Sequence, residues 1–149
     1  MNRTHTCGEL TKDNENQKVS LCGWINKRRD FGKIIFIDLR DRYGLVQLII
    51  DPEICKSSMD IAKGVRNEWV IKIEGMVQKR NEGMENKNLS TGEIEIQVEN
   101  LEVLSESKTP PFSIFEDNTI TNEELRLKYR FLDIRRKEIL DKIILRSKV

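Results

Sequence analysis

Aliphatic residues at every second position on both sides of one short turn are the feature that most limits how this chain can fold. The turn is the polar segment Asp41-Arg42-Tyr43-Gly44, whose terminal glycine suits a hairpin. A period of two residues is that of a β-strand with one face in the core. The aliphatic positions that we expect to face the core are Ile35, Ile37, Leu39, Val46, Leu48 and Ile50.

Further segments extend the strand pattern along the chain. One is long and basic, one carries Trp69, Ile71, Ile73 and Val77 on a single face, and one has a regular Ile94, Ile96, Val98 alternation. Pro52 ends the strand after the hairpin, because proline lacks the N–H that a ladder needs. The five predicted strands are Lys18–Asp30, Lys33–Arg40, Leu45–Asp51, Glu68–Lys79 and Glu93–Val98.

One short helix is expected between the third and fourth strands. It would run from Ile54 to Gly64, with Ile54, Met59 and Ala62 as its apolar positions and the glycine at its end. The order strand, strand, strand, helix, strand, strand is that of the OB-fold. We therefore predict an all-β fold, a five-stranded Greek-key barrel with one short helix.

The character of the sequence changes after about Ser105. Lys108-Thr109-Pro110-Pro111 is typical of a linker, because proline is excluded from a helix interior and from a central ladder. Thr121-Asn122-Glu123-Glu124 matches a capping box, which predicts that a helix starts there. The predicted organisation is a barrel at residues 1–105, a linker or hinge region at 106–135 and the truncated start of another domain at 136–149.

A second helix is expected from about Arg136, with an apolar stripe on one side. Because the sequence ends inside this helix without a cap, we expect the chain to be a fragment of a longer protein. The residues of the stripe are Ile139, Leu140, Ile143 and Ile144.

Composition restricts the classes of partner. The 26 lysines and arginines nearly balance 25 acidic residues, so any attraction for nucleic acid must be local. A local cluster exists in Lys27, Arg28, Arg29 and Lys33, although such a cluster is also compatible with an ordinary solvated face. Three cysteines without CxxC spacing or a signal peptide favour a cytoplasmic protein. No apolar run approaches 18 residues, so a membrane partner is not expected.

Several side chains of the predicted barrel would share one outward face. Phe36 falls between core positions and so points outward among charges, where it could stack on a base. Gln47 would lie one diagonal step away if the turn is two residues long, and an amide can contact a base edge. Lys27 and Arg29 share a face of the first strand, and Glu95 could accept from a base amino group. Taken singly, Phe36 could be a satellite core residue, and Gln47 and Glu95 ordinary surface.

Catalytic patterns are lacking in the sequence. His5 is the single histidine and lies near the terminus, so neither a histidine-based triad nor a multi-histidine metal site can form. A glycine-rich phosphate loop and metal-ligand spacing are also missing. We expect this chain to hold no catalytic residue, no metal and no cofactor.

The sequence resembles the N-terminal part of the bacterial-type aspartyl-tRNA synthetases, which are class II enzymes. The resemblance covers nearly the whole chain, in order. The stretches that carry it are RTHTCGEL, LCGWINKRRDFGKIIFIDLRDRYGLVQLIIDP, VRNEWVIKIEGMVQKR, NLSTGEIEI, LEVLSESKTPPF and EELRLKYRFLDIRR. The hairpin block and LRLKYRFLDIRR are the specific parts.

This resemblance implies an OB-fold that binds the tRNA anticodon. Phe36 resembles the ring that stacks on the central uracil, and Gln47 resembles the residue that contacts that base. Arg29 resembles the neighbouring residue that contacts the same base or the adjoining phosphate. Glu95 resembles the residue that recognises the first anticodon base, a guanine or its modified form. Further anticodon-loop contacts are implied for Lys27, Arg66, Arg80 and Asn86.

The sequence departs from the family at several of these positions. Gln78 stands where relatives often carry arginine, and Lys27 replaces a frequent arginine, which keeps the charge but loses the planar fork. Phe31 occupies a variable position that in the family influences the choice between aspartate and asparagine tRNAs. The sequence leaves open whether the asparagine tRNA is also charged.

For the parent enzyme, the resemblance implies a homodimer that joins aspartate to tRNA through aspartyl-adenylate, using ATP and Mg²⁺. Residues from Arg136 onward resemble the start of the first class II motif, which builds the dimer interface. The rest of that motif and the residues that bind ATP and aspartate are expected to be missing from this chain. Two other functions stay open: a sequence-tolerant module for single-stranded nucleic acid, and a protein-interaction barrel with Phe36 as a hot spot.

Overall fold

The structure is a computed structural model that describes residues 3–114 and 122–149. A 3₁₀ turn at Lys12–Asn14 precedes five strands, one helix and three C-terminal helices. The strands are β1 (Lys18–Asp30), β2 (Ile35–Arg40), β3 (Leu45–Ile50), β4 (Val70–Lys79) and β5 (Ile94–Ser105). The helices are α1 (Lys56–Gly64), α2 (Glu123–Lys128), α3 (Arg130–Asp133) and α4 (Lys137–Lys148).

The strands form a closed barrel in the order β1-β2-β3-β5-β4. Pairing is antiparallel except for the contact of β3 with β5, which is parallel and short, with Leu48 opposite Ile96 and Ile49 opposite Gln97. The six aliphatic residues predicted to face the core from β2 and β3 are fully buried. The all-β OB-fold prediction is therefore confirmed, and the hairpin between β2 and β3 has the predicted register.

A bulge in β1 places two basic residues on the outer face. Ile25 lies opposite Leu39, yet Lys27 lies opposite Asp38, so Asn26 is the extra residue. A bulge reverses the side on which the following side chains emerge. Ile25 therefore points into the core, while Lys27 and Arg29, which an unbroken alternation would send inward, point outward.

The last strand is longer than predicted. Alternation suggested an end at Val98, whereas β5 continues to Ser105. Val98 lies opposite Gly75 and Asn100 opposite Glu74, so Glu99 is an extra residue that shifts the phase of the buried positions. Leu101 is buried after this bulge, which explains why the simple two-residue pattern stopped early.

Two predicted element starts are also corrected. Helix α1 begins at Lys56 with Cys55 as its N-cap residue, so Ile54 precedes the helix and is 46% exposed, while Ser58 is buried in its place. Strand β4 begins at Val70, because Glu68 adopts a positive φ of 67° that a strand cannot continue. The carboxylate of Glu68 binds the buried Arg40 through two hydrogen bonds of 3.1 and 3.0 Å.

The described residues form two compact units, Met1–Thr109 and Pro110–Val149. In the second unit Asn122 caps α2 by accepting from the backbone N–H of Glu124 at 3.0 Å. Thr121, the first residue of the predicted capping box, lies outside the described residues. Arg126 binds Asp133 at 2.9 Å. On α4, Leu140, Ile143 and Ile144 are exposed.

No helix in the described ranges has both the length and the apolar character needed to cross a membrane.

Candidate nucleic-acid interface

A groove of about 590 Å³ lies over the outer faces of β1, β2, β3 and β5, beside the loop that follows β4. It is built where the sequence places polar or aromatic side chains opposite the aliphatic core positions. Its lining combines four charged residues with aromatic, aliphatic and amide side chains. The lining residues are Arg29, Phe31, Ile34, Phe36, Asp38, Gln47, Ile49, Arg80, Asn81, Gly83, Met84, Asn86, Leu89 and Glu95.

A chain of hydrogen bonds crosses the floor of this groove. Nη2 of Arg29 donates to Oδ1 of Asp38 at 2.7 Å and to Oε1 of Gln47 at 3.1 Å. Nε2 of Gln47 in turn donates to Oε2 of Glu95 at 2.9 Å. The Gln47 amide is thereby held in one orientation. It retains one N–H and one oxygen lone pair, so it can both donate to a ligand and accept from it.

Arg80 contributes an unsatisfied donor to the same floor. Its side chain is 6% exposed and its Nε donates to the Ile94 carbonyl at 2.9 Å. Among the described residues its buried Nη2 has no hydrogen-bond partner, and the same holds for Nε of Arg29. Burial lowers the pKa of the Arg80 guanidinium, and the nearby carboxylates of Glu95 and Asp38 oppose that shift. Because unsatisfied buried donors are costly, this site favours a ligand with hydrogen-bond acceptors.

Two phenylalanine rings form one wall of the groove. Phe36 is half-buried and Phe31 is 70% exposed. The ring centroids are 5.7 Å apart and the planes meet at 85°, so the edge of one ring contacts the face of the other. Phe36 lies opposite Arg29 on β1 and diagonal to Gln47 on β3. An aromatic ring beside an oriented amide can stack on a planar group while the amide contacts the edge of that group.

The charges on the groove floor balance. Among the described lining residues the charged ones are Arg29, Arg80, Asp38 and Glu95, two of each sign. Burial raises the pKa of the Asp38 carboxyl, and Arg29, Arg80 and Lys27 oppose that shift. A floor with no net charge suits an uncharged planar group better than a phosphate.

Six of the eight residues predicted for the site line the groove together. The other two do not: Lys27 lies beside the floor, close enough for its charge to act on Asp38, and Arg66 is exposed in the connection from α1 to β4. Gln78, which departs from the family pattern, donates to Oε1 of Gln97. The six that line the groove are Arg29, Phe36, Gln47, Arg80, Asn86 and Glu95.

The sequence analysis did not select Asp38 and Met84. Asp38 lies two residues after Phe36 on β2 and so on the same outward face, and this shared periodicity could have identified it. Met84 is 72% exposed in the long loop after β4, where periodicity gives no signal. Within the described ranges, no group of three histidine, cysteine or acidic residues is arranged to hold a metal ion.

Comparison with known proteins agrees with this geometry. The model of a family described as an OB-fold nucleic acid binding domain matches residues 19–104. An aspartate–tRNA(Asp/Asn) ligase of Protochlamydia amoebophila is 55% identical over 144 residues, which are 97% of this chain and 24% of the relative. An aspartate–tRNA ligase of Staphylococcus epidermidis is 47% identical over 137 residues, 92% of this chain and 23% of the relative.

A solved structure is also similar. The asparaginyl-tRNA synthetase of Pyrococcus horikoshii, complexed with asparaginyl-adenylate, matches with a TM-score of 0.75 and 30% identity. The match covers 91% of this chain and 29% of that one. The chain spans about a quarter of the length of the curated relatives it matches.

Proposed function

Because this chain belongs to the family of OB-fold nucleic acid binding domains, we propose that its groove binds the anticodon loop of an aspartate tRNA. The observation that carries the proposal is the pairing of Phe36 with the oriented amide of Gln47. Together they offer a stacking surface and a donor–acceptor pair, which is what recognition of an unstacked base requires. Relatives that are aspartate–tRNA ligases support the choice of tRNA.

In this proposal Phe36 stacks on the central uracil of the anticodon and Gln47 contacts its edge. The uracil edge carries an N–H donor between two carbonyl acceptors, and Gln47 has one acceptor and one donor left to meet it. Arg29 lies beside the amide and can donate to the same base or to the adjoining phosphate.

Glu95 is proposed to recognise the first anticodon base. A carboxylate accepts hydrogen bonds and repels phosphates, so it favours a base that presents N–H groups, as guanine does. Arg80 donates from its unsatisfied Nη2 to an acceptor of the anticodon loop. Asn86, in the protein loop after β4, also contacts the anticodon loop. Lys27 and Arg66 meet phosphates outside the floor.

For the longer protein, we propose the activity named for the relatives, the joining of aspartate to tRNA. ATP and Mg²⁺ would act in the catalytic domain of that longer protein, through aspartyl-adenylate, in a cytoplasmic homodimer. Residues 1–105 would form the anticodon-binding domain, 106–135 the hinge region and 136–149 the start of the catalytic domain.

The test is titration of this chain with an anticodon stem-loop of aspartate tRNA and with the same loop carrying cytosine for the central uracil. Cytosine exchanges a donor for an acceptor at the edge that Gln47 would contact. We expect about tenfold weaker binding or more, from the range of one lost base contact. Equal binding to both loops would contradict the proposal and favour a sequence-tolerant single-strand binder. Binding to neither, at low salt, would favour a protein-interaction barrel.

A further inference from the structure

Asp38 is an acidic residue in a groove proposed for a polyanion. It lies between Phe36 and the turn of the hairpin, on the outward face of β2, and its side chain is 15% exposed. A carboxylate at this place repels phosphates, so its presence lowers the affinity for RNA in general. Such a residue needs a role that compensates for this cost.

The contacts of Asp38 indicate what that role is. Its Oδ1 accepts from the same Nη2 of Arg29 that donates to Oε1 of Gln47. The ion pair therefore holds the guanidinium beside the amide, and this contact, together with the hydrogen bond from Nε2 of Gln47 to Glu95, determines which end of the amide is the acceptor. Without Asp38 the guanidinium could rotate away from the amide oxygen, and Glu95 alone would orient the amide.

The charge of Asp38 also completes the balance of the floor. Arg29 and Arg80 both face the groove, and Glu95 alone would neutralise only one of them. Loss of Asp38 would leave a net positive floor, into which a phosphate of any sequence could settle in place of a base.

We propose that Asp38 is a positioning residue that determines base specificity: it holds Arg29 against Gln47 and keeps phosphates out of the floor of the groove. The inference rests on the proposed function and names a determinant of the same site. Asp38 strengthens discrimination between loops at the expense of overall affinity.

The variant Asp38→Asn tests this inference, because it keeps the shape of the side chain and removes its charge. Both stem-loops, with the central uracil and with cytosine, are titrated at several salt concentrations. We expect the variant to bind the cytosine loop more tightly than the wild-type chain does, with the ratio between the loops reduced about tenfold. The slope of log K against log salt for the cytosine loop should steepen by about 0.7, the value for one further phosphate contact on a single strand.

Asp30→Asn is the matched control. Asp30 accepts from Nη2 of Arg28 at 2.6 Å, so this change also takes the carboxylate partner from an arginine on β1 and removes the same negative charge, but outside the groove lining. We expect it to leave the ratio between the loops unchanged. Thermal unfolding of both variants checks that the barrel is intact.

The Arg29→Gln background separates positioning from general electrostatics. If Asp38 acts through Arg29, adding Asp38→Asn to that background should change the ratio no further. An unchanged ratio in Asp38→Asn, or equal weakening of both loops, would overturn the inference while the wild-type discrimination still supports the proposed function. Failure of the wild-type chain to discriminate would overturn both.

Discussion

Phe36 lies within a strand of the barrel but leaves part of its ring exposed. Its neighbours along β2, Ile35 and Ile37, are fully buried, whereas Phe36 itself is half-buried against the edge of Phe31. The ring therefore adds little to the core of the barrel. Its energetic value lies mainly in what it contacts when a ligand is present.

Phe36→Ala should weaken binding of the aspartate anticodon loop by about 1–3 kcal/mol, which is the range for one base–aromatic stack. The barrel should stay folded, because the ring lies outside the core. Isothermal titration and thermal unfolding measure the two effects. Tyr43→Ala, at the tip of the hairpin and outside the groove lining, is the control. Severe destabilisation by Phe36→Ala would mean that the ring belongs to the core.

The cysteines differ chemically although all are free thiols. Hydrogen bonds from Ser57 and then Ser58 lower the pKa of the Cys55 thiol to about 7. Cys55 is also the N-cap residue of α1, where partial positive charge favours a thiolate. Burial has the opposite effect on Cys7 and raises its pKa.

Alkylation of the folded chain by iodoacetamide should therefore modify Cys55 first. Because the thiolate is the reactive form, the rate should rise with pH and reach half its maximum near pH 7. Ser57→Ala removes the largest cause of the shift and should move that midpoint to higher pH. Mass spectrometry after a short pulse measures the modified sites. Reaction of Cys7 at the same rate would show that the barrel opens readily.

At the scale of elements, the close approach of β4 to β5 at one point requires a glycine. A Cβ atom at Gly75 would overlap the carbonyl oxygen of Gln97, whereas one at Gly64, the last residue of α1, would meet nothing within 4 Å. Gly75 lies next to the bulge at Glu99, so the bend of β5 and the missing side chain belong to one arrangement.

Gly75→Ala should lower the free energy of unfolding by about 1–3 kcal/mol, as overpacked cores do. Gly64→Ala should be neutral or stabilising by up to about 1 kcal/mol, because alanine restricts the unfolded chain and favours a helix. Urea denaturation of the two variants makes the comparison. Equal effects of the two changes would show that the strands can separate to admit a methyl group at no cost.

Element positions follow from the sequence to different degrees. The bounds of β1 and the register of the hairpin are predictable, because alternation and the turn residues state them directly. The bulges at Asn26 and Glu99 are not, since each depends on pairing with a distant strand. The position of Arg66 outside the groove could not be predicted either. That residue was named from the family resemblance, and the local sequence pattern does not indicate which side of the barrel a loop faces.

Across the whole molecule, the position of the charged residues matters more for RNA binding than the net charge does. The sequence carries a formal net charge of +1, and the groove floor is balanced, so cations that attract phosphate lie around the floor. Lys27 is exposed there, next to the ion pair of Arg29 with Asp38. Affinity and specificity should therefore respond to different substitutions.

Lys27→Gln should weaken binding of both stem-loops alike and reduce the slope of log K against log salt by about 0.7, because one phosphate contact is lost. Lys63→Gln, at an exposed lysine on α1, is the control and should change neither quantity. Titrations at four salt concentrations give the slopes. A change in the ratio between the two loops would place Lys27 on a base instead of a phosphate.

The closure of the barrel has a consequence for how the site comes into being. The hydrogen bond from Gln47 to Glu95 joins residues 48 positions apart and spans the short contact between β3 and β5. Contacts between distant parts of a chain form slowly, because the intervening loop must first be brought together. The amide that orients a base therefore acquires its carboxylate partner only when β3 meets β5. A chain in which these two strands have not met would hold its basic strand and its aromatic ring, and would bind RNA with less selection between bases.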